Sequence, residues 1–175
     1  RLGPYRVSER VHALELVASV GLGDLLLGDR CMVSRRMLHE ITSRKAHLLM
    51  RVRTSGHGCM HEVTTFLATG QREALVELHQ RDRRGKPLGG PGLRVRFIRQ
   101  HLADGTDALF LTSLTDQQCY RSLDLIALYT QRWAIETAFR ELKIWHGLER
   151  FHARKPDGIA HEACALMVFQ MLASE

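Results

Sequence analysis

The sequence predicts an α/β fold in which helices cover a mixed β-sheet. Residues 25–27 are an apolar run typical of a buried strand, and residues 46–53 are predicted as the next strand after a helical pattern. A strand–helix–strand unit implies a parallel pair. Residues 93–99 alternate apolar and basic side chains, which is typical of a half-buried strand. Apolar residues at helical spacing before and after these strands predict the covering helices.

Length and composition limit the class of protein. A chain of 175 residues with 45% apolar residues forms one domain, or one domain with an insertion. Lys and Arg exceed Asp and Glu by 25 to 19, which favours acidic partners, nucleic acid first. The four cysteines are scattered, so we expect reduced thiols and a cytoplasmic location. There is no apolar run of about 18 residues, so we expect no membrane span.

The first elements follow from local signals. Ser8 is a predicted cap for a helix that ends near Gly21 or Gly23. The three leucines at 25–27 predict a short strand buried on both faces, and Asp29 lies just beyond its carboxyl end. Open α/β sheets place their chemistry at such ends, although an Asp there is also a common turn former. Ser34 is a predicted cap for the second helix.

Residues 57–117 contain several patterns typical of strands and are predicted as a β-rich insertion. The β-branched residues of 63–69 favour a strand, and 73–79 fits a strand or a helix. Strands are also predicted at 93–99 and 108–114. The first of these would expose Arg94, Arg96 and Arg99, which could touch phosphate or form a solvated face.

A long helix is predicted from Ser122 to about Trp145, followed by a last apolar helix at 159–173. At about 100° per residue, Tyr129, Arg132, Glu136 and Lys143 fall within an arc of about 60°. The next arc, which includes Ile135, Ala138, Phe139 and Leu142, is predicted to be buried. The polar arc suits either a salt-bridged surface or a grip on a polyanion next to a metal.

Few other motifs indicate chemistry. His57, Cys59 and His61 resemble a metal-binding cluster, but they are too crowded for ordinary zinc spacing and lack a second half. Asp29 and Glu136 come from separate elements. Two such carboxylates can share hard divalent cations, which activate a water or hydroxyl for attack on a phosphodiester.

The stretch YTQRWAIETAFRELK fits the pattern Tyr-x2-Arg-x3-Glu-x6-Lys. This pattern resembles the signature of a large family of bacterial insertion-sequence transposases with a DDE catalytic triad. The upstream segment LLLGDRCMVSRRM is similar to that family's second-aspartate segment. The resemblance implies an RNase H-like (retroviral-integrase-like) fold: a mixed sheet flanked by helices, with a β-rich insertion before the catalytic-glutamate helix.

The resemblance also implies roles. Asp29 and Glu136 would be the second and third catalytic carboxylates and metal ligands. They would bind two Mg²⁺ or Mn²⁺ ions together with a first aspartate. Tyr129, Arg132 and Lys143 would contact DNA near the transposon end. The implied reaction is hydrolysis at the ends of the element and strand transfer to target double-stranded DNA, by a homodimer on paired ends in the bacterial nucleoid.

This sequence departs from the family pattern because it contains no suitable candidate for the first aspartate. Asp24, the only Asp before Asp29, is at the start of the same strand and cannot take that role. We therefore expect the first aspartate upstream of Arg1 or lost, and this chain alone to be inactive. The expected division is a partial RNase H-like core at 1–56, the β-rich insertion at 57–117 and the C-terminal helices of the core at 118–175.

Two other functions stay open. A non-catalytic DNA-binding or assembly module on the same fold would keep the basic edge and need no metal. A metal-dependent nuclease or resolvase without strand transfer would use the same carboxylates.

Overall fold

The fold is given by a computed structural model, which describes residues 9–82, 85–86, 88–144 and 150–173. The chain forms two compact units, one ending at Tyr129 and the other beginning at Thr130. The helices and strands, in chain order, are α1 (Glu9–Leu16), a 3-10 turn (Val17–Ser19), β1 (Leu25–Gly28), α2 (Arg35–Ser43), β2 (His47–Val52), α3 (His61–Ala68), β3 (Glu73–Leu78), β4 (Leu93–His101), β5 (Asp107–Thr112), α4 (Ser122–Thr130), α5 (Trp133–Ile144) and α6 (Pro156–Ala173).

The larger unit is built on a five-stranded mixed sheet. The strand order is β1-β2-β5-β4-β3. β1 and β2 are parallel, as predicted, and β2–β5, β5–β4 and β4–β3 are antiparallel. The carboxyl ends of β1 and β2 therefore meet at one edge of the sheet.

Apolar side chains cover both faces of this sheet. On one face, α2, α3 and the 3-10 turn pack against alternate residues of the strands, among them Leu48 and Phe97. On the other face, Leu125 and Tyr129 of α4 pack against Leu49, Phe110 and their neighbours. Strand alternation divides the residues of β1 in the same way, since Leu26 contacts the first cluster and Leu25 and Leu27 the second.

Two predicted elements form differently. Residues 63–69, predicted as a strand, lie largely in α3, because Val63 and Phe66 one turn apart are both buried against the sheet. Their packing outweighs the strand preference of the β-branched residues. Residues 73–79, left open between strand and helix, form β3.

The prediction of one long helix from Ser122 to Trp145 is also wrong. It is divided by a turn at residues 131–132 into α4 and α5, and Trp145 lies outside the described residues. The predicted buried stripe forms only in part, because Leu142 is 4% exposed whereas Ile135 is 54% and Phe139 is 42% exposed.

The exposed arginine face predicted for β4 is contradicted at Arg96, which is 1% exposed. Its guanidinium donates to Glu73 Oε2 from Nε at 3.1 Å and from Nη2 at 2.5 Å. It also donates to the Tyr120 carbonyl at 2.6 Å and to Ser122 Oγ at 2.7 Å. Arg96 therefore connects β3, β4 and the start of α4 through a satisfied buried network.

Arg99 is half-buried rather than exposed. Its Nε donates to Asp107 Oδ2 at 2.9 Å, and His101 Nδ1 lies 3.1 Å from Oδ1 of the same carboxylate. The hydrogen bonds from Arg99 and His101 hold the pKa of Asp107 below its usual value. Of the three arginines, Arg94 alone is exposed as predicted.

The second unit contains α5 and α6. Gln170 on α6 donates from Nε2 to Glu141 Oε2 on α5 at 2.6 Å. The carboxylate of Glu162 accepts hydrogen bonds from the backbone N–H groups of His152 and Ala153 at 2.9 and 2.7 Å, which ties the segment before α6 to that helix. No helix in the described part of the chain is both long and apolar enough to cross a membrane.

Candidate functional site

Asp29 lies directly after β1, as the sequence predicted, at the edge where the carboxyl ends of β1 and β2 meet. Its side chain is half-buried. Oδ1 accepts a hydrogen bond from the Arg30 backbone N–H at 2.6 Å. No donor among the described residues is bonded to Oδ2. The backbone of Asp29 also starts a turn, because its carbonyl accepts from the Met32 N–H at 2.9 Å.

The end of β1 is closely fitted to its surroundings. Gly28 is buried, and a Cβ at this position would lie 3.1 Å from both Cγ and Cε of Met50. The Gly28 carbonyl accepts a hydrogen bond from the Tyr129 hydroxyl at 3.1 Å. The backbone that leads into Asp29 is therefore held by packing on one side and by a phenol on its carbonyl.

Tyr129 is buried rather than displayed at a surface. It is 5% exposed, and its ring packs edge-on to Phe110 with the ring centroids 5.0 Å apart. The DNA contact predicted for it stays a prediction, and this burial weighs against it.

Glu136 lies in the first turn of α5, and Lys143 lies exposed in the last turn. Arg132, just before the helix, donates from Nη1 to Glu136 Oε1 at 2.6 Å. The side chains of this pair are 17% and 38% exposed, respectively. The guanidinium carbon of Arg132 also lies 5.9 Å from the centre of the Trp133 ring, within the range of a cation–π contact.

The predicted residues are divided between the two units. Asp29 and Tyr129 belong to the larger unit. There the Tyr129 hydroxyl donates to the carbonyl of Gly28, the residue before Asp29. Arg132, Glu136 and Lys143 belong to the second unit, where the first two form an ion pair. The single 60° arc is not realised, because Tyr129 and Glu136 lie on different helices.

A group of arginines that the sequence analysis missed lies at the edge of the sheet where β1 and β2 end. Arg30, Arg51 and Arg53, hereafter the edge arginines, line a cavity of about 350 Å³ that Asp107 also reaches. Arg30 and Arg53 line a second cavity of about 160 Å³ as well. Arginines after two parallel strands meet at one edge of a sheet, so the sequence contained a signal for this cluster.

Among the described residues, His57, Cys59 and His61 are not grouped so that they could hold a metal ion. Cys59 Sγ lies 3.2 Å from the Arg53 carbonyl, and burial raises the pKa of this thiol. Zinc binds the thiolate, so a raised pKa disfavours it. Within the described ranges, no group of three or more His, Cys, Asp or Glu side chains is arranged to hold a metal ion.

The fold and this edge define a class: an α/β protein with an acidic residue at the carboxyl end of a parallel strand pair, beside a basic cavity. The family model described as "Transposase DDE domain" matches residues 1–172, and the chain belongs to this family. A search of curated proteins found no match.

Membership of the family confirms the predicted class. The mixed sheet flanked by helices is consistent with the RNase H-like fold of DDE transposases. The family supports a transposase function and implies DNA as a substrate. Domains of this family generally use divalent metal ions.

Proposed function

We propose that this domain takes part in metal-dependent hydrolysis at the ends of an insertion sequence and in strand transfer to target DNA. The observation that carries the proposal is the family match over residues 1–172. The position of Asp29 after β1, beside the edge arginines, supports it.

In this proposal Asp29 and Glu136 supply carboxylate oxygens to Mg²⁺ or Mn²⁺, which prefer such ligands. Asp29 Oδ2 accepts no hydrogen bond from the described residues, which supports this role for Asp29. When bound, two such ions would activate the attacking oxygen and stabilise the leaving oxygen of the phosphodiester. Two ions are expected where a third carboxylate is available.

The basic side chains would hold the DNA backbone. The edge arginines line a cavity at the same edge of the sheet as Asp29, and a guanidinium matches the geometry of a phosphate. Arg132 and Lys143 are proposed contacts in the second unit. Arg132 also orients Glu136 through their ion pair, so its replacement would affect the carboxylate as well as DNA.

A third carboxylate is needed for the triad, and Asp24 does not supply it. Asp24 lies at the amino-terminal side of β1, and its Oδ2 accepts from the Gly21 N–H at 2.8 Å. We therefore expect this chain alone not to cleave DNA. Divalent-metal-dependent cleavage of a duplex containing the element's end, by this chain alone, would contradict that expectation. Dimer formation on paired ends and association with the nucleoid belong to the same proposal.

The edge arginines also favour a second candidate function, a DNA-binding or assembly module that needs no metal. Glu136→Gln distinguishes the two, with Glu141→Gln as a control that removes one negative charge from the same helix. A glutamine at 141 can still accept from Gln170. Calorimetry would measure Mn²⁺ binding, and fluorescence anisotropy would measure binding of an end duplex.

The metal proposal expects Glu136→Gln to lose about tenfold or more in Mn²⁺ affinity, while Glu141→Gln does not. Metal-free DNA binding should stay within about twofold of wild type in both variants. Equal Mn²⁺ binding by wild type and Glu136→Gln would refute the metal role and leave the binding module. A nuclease without strand transfer would be recognised by cleavage products that are never joined to target DNA.

A further inference from the structure

We propose that Tyr129 is a positioning residue for Asp29. The inference rests on the proposed function, because it concerns the same metal-binding carboxylate. It starts from the hydrogen bond between the Tyr129 hydroxyl and the carbonyl of Gly28, the residue before Asp29.

The peptide bond explains how a contact to Gly28 acts on Asp29. A peptide unit is planar, so the Gly28 carbonyl lies in one plane with the nitrogen and Cα of Asp29. A donor that fixes the carbonyl oxygen therefore fixes the plane from which the Asp29 side chain departs. Met50 packs against Gly28, which restricts the same backbone further.

The surroundings of Tyr129 hold its phenol ring in place. The residue is 5% exposed, and its ring packs edge-on to Phe110. To reach a DNA phosphate, the phenol would have to leave this packing and break its bond to Gly28. That would expose an aromatic ring and leave the Gly28 carbonyl without this donor.

The chain position of Tyr129 gives this bond a second effect. Tyr129 is the last residue of the larger unit, and Glu136 follows seven residues later in the sequence. Within the larger unit, one hydroxyl thus joins the end of β1 to the carboxyl-terminal part of α4.

The test is Tyr129→Phe, which removes the hydroxyl and keeps the ring. Tyr120→Phe is the matched control, since the hydrogen bonds described for Tyr120 use its backbone N–H and carbonyl. Four quantities would be measured: Mn²⁺ affinity by calorimetry, amide hydrogen exchange of residues 28–32, metal-free affinity for an end duplex, and Tm. Asp29→Asn is included to test the metal site itself.

We expect Tyr129→Phe to lower Mn²⁺ affinity about three- to tenfold, the effect of losing one hydrogen bond. Exchange at Arg30, whose N–H is bonded to Asp29, should become faster. DNA affinity without metal should stay within about twofold, and Tyr120→Phe should match wild type throughout.

Four outcomes would overturn the inference. Weaker metal-free DNA binding with unchanged Mn²⁺ affinity would make Tyr129 a DNA contact. A lower Tm with unchanged Mn²⁺ affinity and unchanged exchange at Arg30 would make its role merely structural. If Asp29→Asn binds Mn²⁺ as tightly as wild type, the proposed function fails and the inference fails with it. If only Asp29→Asn is impaired, the proposed function stands and the inference alone is wrong.

Discussion

Replacing Glu73 by alanine would leave the Arg96 guanidinium without its carboxylate partner. Arg96 is 1% exposed, and two of its nitrogens donate to Glu73 Oε2. Ser122 Oγ also donates to this oxygen, at 2.6 Å. The substitution would therefore remove the acceptor of three hydrogen bonds and leave a buried positive charge only partly satisfied.

The expected magnitude follows from the exposure of the pair. Breaking a buried ion pair by removing one partner costs about 3–5 kcal/mol. The Glu73 side chain is 30% exposed, so water can reach the vacated position. Arg96 also keeps its bonds to the Tyr120 carbonyl and Ser122. We therefore expect Glu73→Ala to lower the free energy of unfolding by about 2–3 kcal/mol at pH 7.

Urea denaturation followed by circular dichroism would measure this loss. Glu77→Ala is the matched control, because Glu77 lies on the same strand with its side chain 65% exposed and only a 3.8 Å contact to His79. Its cost should be within about 0.5 kcal/mol. Equal costs for the two substitutions would refute the role given to the Arg96 network.

The pH dependence gives a second check. Burial raises the pKa of Glu73, but hydrogen bonds from Ser122 and Arg96 outweigh it, so the net pKa lies below the usual value. A lowered folded-state pKa gives stability that is present above the unfolded pKa, about 4.3, and is lost as pH falls through the folded value. The difference in free energy of unfolding between wild type and Glu73→Ala should therefore become smaller below about pH 4. If this free-energy difference instead became larger below pH 4, the ion pair between Glu73 and Arg96 would not be the source of the stability.

Two further predictions concern the edge of the sheet that carries Asp29. Gly28→Ala would place a methyl group against a buried methionine side chain of β2 and should cost about 1–3 kcal/mol of unfolding free energy, measured by denaturation. Gly89→Ala has open space around the added Cβ and should cost little, so equal costs would contradict the close fit. Replacing Arg51 and Arg53 together by alanine should weaken DNA binding and reduce the slope of log K against log salt by about 2, measured by anisotropy at several salt concentrations. Arg94→Ala, an exposed arginine outside the cavity, should not do so to the same degree, and an equal loss would mean that the cavity is not a binding site.

The elements that the sequence predicted correctly have local signals that agree with their packing. Three leucines between turns gave β1, and the predicted cap Ser34 accepts a hydrogen bond from the Met37 N–H at the start of α2. The parallel pairing of β1 and β2 followed from the connection between them. Asp29 was therefore correctly placed at the strand end, although its catalytic role remains a prediction.

The features that the sequence did not predict depend on contacts between distant residues. Alternation in β4 correctly put Arg96 on the face opposite Phe97, but only the fold shows that Tyr120 and Ser122 cover that face. The helix break at 131–132 involves no glycine or proline, so no local signal marked it. The burial of Tyr129 depends on the strand end 101 residues earlier in the chain.

The internal pairing of arginines changes how the formal charge of +6 acts at a distance. Arg96 with Glu73 and Arg99 with Asp107 are opposite charges a few ångströms apart, and their fields largely cancel further out. The edge arginines have no carboxylate bonded to them in the described part of the chain. The edge arginines would therefore contribute to the attraction of a polyanion toward the larger unit before any contact forms. Beyond the Debye length, about 10 Å at 0.1 M salt, that attraction fades, so it should speed association most at low ionic strength.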